Sequence, residues 1–425
     1  MMITAPLYRP RVPARLLAAA VLLFGVAPVP AIGADAKDPG EAESVGQALT
    51  RGKLSLGLRY RFELVSDDTP AISLEDGKAS TLRTTLAYTS ARYRGFGIHL
   101  EFEDVTDVGL GDEHNNLGAG SLANGVTNRP AIADPDLTEV NQAYLVYRGF
   151  RNTTIHAGRQ EIALSEQRFV GPVGWRQNHQ SFDALRVVQT SIPRTKLNYA
   201  YLADVHRIFG DHKQLHGHLL NAEVSVGEKG RLTPYVYSLD YDAMADAGLS
   251  TLTYGARWQN SFDCRGGWTF PYHVELARQS DAGDNPANVD AGYFRVELAG
   301  KHRWLTVRAG WEMLEGSPAD GTFSTPLATL HKWNGWADKF LVTPPDGLED
   351  LYVSFGGGGE HVKASLVYHD FGSDTGGLDY GSEIDAVVSY EAPWKQTFAL
   401  KLALYDADTF SADTEKIMAF TSYSF

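Results

Sequence analysis

The chain has 425 residues, 43% of them hydrophobic, a single cysteine and a formal net charge of −14. Length alone admits two or three soluble domains, but the apolar residues are dispersed, and after the N-terminus no stretch stays apolar long enough to span a bilayer as a helix. The lone Cys264 excludes an internal disulfide and lies too far from the N-terminus for a lipoprotein anchor, and the acidic balance argues against a nucleic-acid partner.

Residues 1–33 read as a secretory signal. Arg9, Arg11 and Arg15 form a positive leader, Leu16 to Val29 an apolar core of signal length, and small residues follow, with cleavage after Gly33 or Ala36. A membrane anchor fits less well, because Pro28 and Pro30 break the run. Without the three arginines the charge becomes −14 − 3 = −17. Residues 34–52 are polar and without period, and read as an irregular periplasmic segment.

At residue 53 the pattern changes. Leu54, Leu56, Leu58, Tyr60, Phe62 and Leu64 alternate with Ser55, Gly57, Arg59, Arg61 and Glu63, which is a strand with one apolar face and one that needs water. Similar patterning predicts strands over 53–65, 80–91, 96–105, 139–148, 153–161, 182–189, 196–204, 216–226, 232–240, 251–260, 268–279, 292–299, 304–313, 350–355, 361–370, 382–391, 397–405 and 414–425, eighteen in all. Short turns such as 92–95, 149–152 and 300–303 alternate with long connections such as 107–138 and 314–349. That asymmetry belongs to an outer-membrane barrel, and an even count puts both termini on the periplasmic side. Rows such as Phe398, Leu400, Leu402 and Leu404, or Trp268, Phe270, Tyr272, Val274 and Leu276, place aliphatic residues mid-strand and aromatic ones towards the ends, as lipid-facing girdles require.

The final segment, 414–425, reads as the strand that pairs with the first and closes the barrel. Phe425 with Tyr423 resembles the C-terminal signature of bacterial outer-membrane proteins, through which the barrel assembly machinery engages its clients. The expected fold is therefore all-β: a transmembrane, antiparallel, up-and-down barrel over 53–425. It lies in the outer membrane of a Gram-negative bacterium, in contact with lipid and lipopolysaccharide.

A ring of eighteen strands is too wide for its own side chains to fill, so the interior is expected to be an aqueous passage or to be occluded by inserted loops. Inward positions carry Arg59, Arg61, Arg83, Arg148, Arg186, Lys196, Arg257, Arg295, Arg308, Lys363 and Lys401 against Glu63, Glu101, Glu103, Glu223, Glu275, Glu297, Glu312, Glu383 and Asp385. Such a lumen carries a transverse field that suits polar or charged solutes, while the same charges can pair across neighbouring strands and stiffen the wall.

Two connections are unusually rich in functional side chains. Residues 158–183 hold Arg159, Glu161, Arg168, Trp175, Arg176, Asn178, His179 and Asp183, and residues 325–340 hold a Gly335–Asp338 core flanked by Trp333. The GRQ at 158–160, the WRQN followed by SFD at 175–183, the Gly-Trp-Ala-Asp core and the LRYRFE at 58–63 resemble the alginate export family of outer-membrane channels. The resemblance implies a monomeric eighteen-stranded barrel whose arginine-lined constriction passes an acidic polysaccharide under loop control. By motif, Arg159, Arg168 and Arg176 become constriction candidates; Arg59 and Arg61 join them by facing, with Arg83, Arg257 and Arg308 as further pore-lining positions. Guanidinium suits carboxylate because its planar fork pairs bidentately and stays charged.

The expected solute is a hydrophilic, anionic saccharide or organic acid, alginate included; the alternative is a structural or adhesin-like barrel with a closed lumen and partner-binding loops. An enzyme is not expected, since no G-x-S-x-G or comparable arrangement is present. No cofactor or metal is called for. Gly356 to Gly359 precede a strand and read as a turn. Asp104, Asp107, Asp112 and Glu113 lack calcium-loop spacing, and His216 and His218 lack a third ligand. Trp333 and Trp336 are spaced to share one side of a short helix, or to pack within their loop.

Overall fold

In lipid every unpaired backbone group costs several kcal/mol, so strands with one apolar and one polar face can span a membrane only by closing into a ring. The computed structural model, which describes residues 39–69, 74–111 and 113–425, forms such a ring. Its main sheet has twenty strands, of which Glu41–Ala42 and Arg92–Tyr93 are two-residue pieces, leaving eighteen in the wall. These are β1 Lys53–Asp67, β2 Gly77–Thr89, β3 Phe96–Asp107, β4 Leu137–Tyr147, β5 Thr153–Gln160, β6 Ser181–Gln189, β7 Thr195–His206, β8 His212–Val226 and β9 Gly230–Leu239. They continue as β10 Thr251–Cys264, β11 Trp268–Asp281, β12 Asp290–His302, β13 Leu305–Leu314, β14 Leu348–Gly358, β15 Val362–Gly372, β16 Asp379–Glu391, β17 Thr397–Ala407 and β18 Thr414–Ser424. Each pairs antiparallel with the next, and β18 pairs with β1 from Gly57↔Ser424 to Asp67↔Thr414, closing the ring. The Phe425 N–H extends the seam by donating to Leu56 O at 2.9 Å. Among the described residues no helix is long and apolar enough to cross a membrane; the crossing is made by strands.

The two faces are inverted relative to a soluble sandwich. Arg59, Arg61 and Glu63 are buried inside, while Leu54, Tyr60, Leu86, Phe102, Tyr254, Leu276, Phe355, Ile384 and Leu400 are exposed on the outside, where lipid covers them. All eighteen expected strands are present, several longer than expected at the loop end: β8 starts at His212 and β1 runs to Asp67. There the inner face packs against inserted loops, so pairing continues beyond the membrane band. Ile162, Val170, Phe182, Leu202, Leu219, Tyr235 and Leu327 form one apolar cluster, and Tyr293, Phe323, Phe340, Phe371, Tyr405 and Met418 a second. Phe169 packs against both.

The expectation of an irregular segment before the first strand is corrected for residues 39–52. Ser44 caps a helix α1, Val45–Thr50, by accepting from Gln47 N at 3.2 Å. Glu41–Ala42 pairs in parallel with Arg92–Tyr93, and Ala91 N donates to Ala48 O at 3.0 Å, which ties the segment under the first periplasmic turn. The signal expected at 1–33, and Asp112, lie outside the described residues.

Candidate functional site: two loops docked in a charged lumen

Two connections at the long-loop end fold into the barrel and hold each other. Residues 161–180 and 315–347 meet at a parallel bridge, Val170↔Leu327; Gly171 N donates to Leu327 O at 2.9 Å and Thr329 N to Gln167 O at 3.1 Å. From this junction their side chains and backbone amides reach walls all round the ring: Glu103 of β3, Arg257 of β10, Arg295 of β12, Glu312 of β13, Asp350 of β14, Glu383 and Asp385 of β16, and Lys416 of β18.

The arginines of β1 and β2 are engaged by loop backbone. Arg59 donates to Gly174 O at 3.1 Å and Trp175 O at 3.0 Å, Arg61 to Trp175 O at 2.9 Å, and Arg83 to Gln177 O at 3.2 Å. These carbonyls belong to a segment without regular pairing, and buried carbonyls need donors. Gln177 returns the contact, donating from Nε2 to Arg59 O and Thr81 O.

The second loop is turned into the wall by glycine. Asn334, Gly335 and Asp338 have φ of 55°, 85° and 63°. This turn aims Trp336 N at Asp385 Oδ2, 3.1 Å away, and Ala337 N at Glu383 Oε1, 2.7 Å away. A Cβ on Gly335 would overlap the Glu383 carboxylate, so both the left-handed backbone and the close approach require glycine. Trp333 and Trp336 do not share a helix: the only helical turn nearby is Leu330–Lys332. Instead Arg295 sits 4.5 Å from the Trp333 ring centroid and Lys401 3.8 Å from that of Trp336.

The polar contacts are densest against the β1–β18 seam. Arg176 lies 3.3 Å from Glu63 and 2.9 Å from Asp338, and Asp338 also takes Lys416 at 2.8 Å and His331 Nδ1 at 2.7 Å. Lys401 Nζ stands 2.8 Å from His331 Nε2. An ammonium only donates, so Nε2 accepts, and neutral His331 donates its Nδ1–H to Asp338. Burial, with Lys401 and Arg176, outweighs Asp338 and holds the imidazole well below its ordinary 6.5. Trp175 stacks on His331 at 4.4 Å and 10°, with Lys401 3.8 Å and Arg61 4.4 Å from its centroid.

Of the arginines singled out in the sequence, Arg59, Arg61, Arg83, Arg168 and Arg176 are buried in these docking contacts, Arg168 through Glu312 at 2.7 Å and Asn334 at 3.2 Å. Arg159 stands apart on β5, paired with Asp183 at 2.9 Å. Arg257 meets Glu166 of the first loop, and Arg308, 41% exposed, pairs with Glu297 at 3.2 Å. Glu166, Lys332 and Lys416 were not singled out as site residues. The first two lie on loops, where no periodicity assigns a facing, and the third follows from the alternation of β18. The tempting clusters have ordinary explanations: Asp107 Oδ1 accepts from Gly109, Leu110 and Gly111 N, and His216 and His218 pair on the outer face with Tyr201 and Tyr199.

A family profile described as alginate export matches residues 52–308. No curated protein matches significantly. Among solved structures, Pseudomonas aeruginosa OccK9 (OpdG) superposes with a TM-score of 0.70 at 15% identity, covering 89% of this chain and 99% of that one. Acinetobacter baumannii OccAB2 gives 0.69 at 15% identity, covering 89% and 100%. Pseudomonas aeruginosa OpdK, solved with vanillate, gives 0.66 at 14% identity, covering 88% and 98%. At these identities the likeness carries the fold.

Proposed function

The chain belongs to the alginate export family and is a β-barrel of the Gram-negative outer membrane, and from that premise we propose that it is a loop-gated channel for hydrophilic solutes bearing carboxylates, uronate saccharides or small organic acids. The observation that carries this reading is a cationic, aromatic face left accessible inside the barrel. Arg308 points inward from β13 and is 41% exposed, Lys332 is exposed on the second loop, and the Trp333 ring lies 5.2 Å from the Lys332 ammonium. A flat ring beside the accessible Lys332, with Arg308 as a second accessible cation on the wall, suits a sugar ring that carries an acid, and contacts of this exposed kind are individually weak, as passage requires. The vanillate of OpdK is an aromatic carboxylate of the small-acid class. The loops act as the gate because polar pairs and two apolar clusters, not strand ladders, hold them.

The test is single-channel recording of the refolded mature protein in planar bilayers, with oligomannuronate and a neutral oligosaccharide of equal length. Expected are anion-preferring steps that oligomannuronate blocks and the neutral sugar does not, with block weakened by Arg308→Ala and Lys332→Ala. A barrel that folds but conducts nothing even after the loops are trimmed would sink the channel reading and leave a structural or adhesin-like barrel. Equal block by both sugars would remove the carboxylate preference.

A further inference from the structure

Glu166 stands between two residues with left-handed backbone, Ser165 at φ 51° and Gln167 at φ 67°. Such conformations are strained for residues other than glycine, and they persist where the surroundings over-determine them. What the turn presents is a carboxylate. Glu166 Oε1 lies 2.5 Å from Arg257 Nη2 and Oε2 3.0 Å from Arg295 Nη1, while its backbone carbonyl accepts from Lys332 Nζ at 2.8 Å. The two guanidiniums are 3% and 6% exposed, whereas Glu166, which comes from the lumen side, is 34% exposed.

The wall sets three arginines against three carboxylates here, and the first loop claims one of those carboxylates for its own arginine. Glu275 registers between Arg257 and Arg295 across β10, β11 and β12, and Glu297 takes both Arg295 at 3.0 Å and Arg308 at 3.2 Å. Glu312 registers with Arg295 across β12 and β13 but is taken by Arg168 of the first loop at 2.7 Å, so the three arginines keep two unshared wall carboxylates, and Glu166 supplies the third. The Nε of each of Arg257 and Arg295 is buried without a hydrogen-bond acceptor among the described residues, so the fork retains donors that Glu166 does not use.

Resting on the channel reading above, we propose that the Arg257–Arg295 fork is a carboxylate site of the channel and that Glu166 is its resident surrogate: a solute carboxylate exchanges for Glu166, and the exchange releases the tip of the first loop. The solute thereby opens its own passage, and a neutral solute has no means of doing so. A site occupied by its tethered surrogate nine-tenths of the time binds a free ligand about tenfold more weakly than the vacant site would.

The experiment compares full-length mature wild type, Glu166→Gln and Glu166→Gln/Arg257→Gln in planar bilayers, reading half-blocking concentrations of glucuronate and glucose. A heat-shift gel checks that each barrel is folded. Expected is that Glu166→Gln lowers the glucuronate value about tenfold or more and leaves glucose unchanged, and that adding Arg257→Gln reverses the gain. Glu166→Asp, which keeps the charge but shortens the reach, is expected to fall between. If Glu166→Gln shifts glucuronate and glucose alike, or shifts neither by more than about twofold, the surrogate role is overturned while a wild-type preference for glucuronate keeps the channel reading intact. If neither form distinguishes glucuronate from glucose, the channel reading for carboxylates fails and the surrogate with it.

Discussion

Replacing Arg176 by alanine removes the guanidinium that ties the first loop to both β1 and the second loop. Its contacts, 3.3 Å to Glu63 and 2.9 Å to Asp338, are almost sealed from solvent. Breaking a buried pair costs about 3–5 kcal/mol when the surviving charge is stranded. Here Glu63 keeps Arg61, and Asp338 keeps Lys416 and His331, so the low end applies. A loss of ~3 kcal/mol changes the docked-to-undocked ratio of the loop by a factor of roughly 150. None of it falls on the strand ladder, so the folded barrel keeps its heat-shift mobility while residues 161–180 become open to attack. The assay is proteinase K cleavage of the protein in liposomes. When opening and closing are fast, the cleavage rate follows the open population and rises by about two orders of magnitude. Single-channel traces of the same variant show longer open dwells. A cleavage rate within about twofold of wild type would refute the reasoning and assign the docking to the apolar contacts of Phe169, Phe323 and Phe340.

Acid is expected to loosen the second loop through His331. Its docked pKa lies well below 6.5, so protonation favours the undocked loop, and docking weakens progressively as pH falls through 6.5. Conductance steps that are independent of pH between 7 and 5 would contradict this, as would a pH response that survives His331→Gln. Glu166 behaves oppositely: burial raises it, but Arg257, Arg295 and His273 hold it at about 2, so its docking contribution is full above 4.5 and is lost as pH falls from there to about 2, and Glu166→Gln leaves the pH 5 response in place. Gly335→Ala forces a Cβ into the Glu383 carboxylate at a left-handed residue and costs the loop about 1–3 kcal/mol, read as faster cleavage of 325–340 with an unchanged barrel. Phe425→Ser leaves the backbone bond to Leu56 available and removes an exposed ring; the yield of assembled barrel in cells falls, while the refolded protein unfolds in denaturant at the wild-type midpoint.

The wall was legible because its chemistry repeats. Two solvents on two faces force a period of two, and residues such as Leu58, Arg59, Tyr60 and Arg61 state it without ambiguity. The short α1 was missed because, of its six residues, Ala48 is buried while Val45 and Leu49 are exposed, so it has no amphipathic stripe; Ser44 and Gln47, in cap spacing, were the available signal. The loops were recognisable by composition and by family motif, but not by destination. Nothing periodic tells Arg59 that it will meet Trp175 O, and Arg176 could equally have faced solute. Facing within a strand is a local property, whereas the partners of Glu166 are set by the closure of the whole ring.

The Arg176–Asp338 pair carries a consequence for the order of assembly. One end of it is held by Glu63 in the first strand and the other by Lys416 in the last, 353 positions later in the chain. Until both strands are in place, the pair has only half its anchors. The loops can thus dock fully only on a finished ring, and their docking then rivets from inside the junction between its first strand and its last.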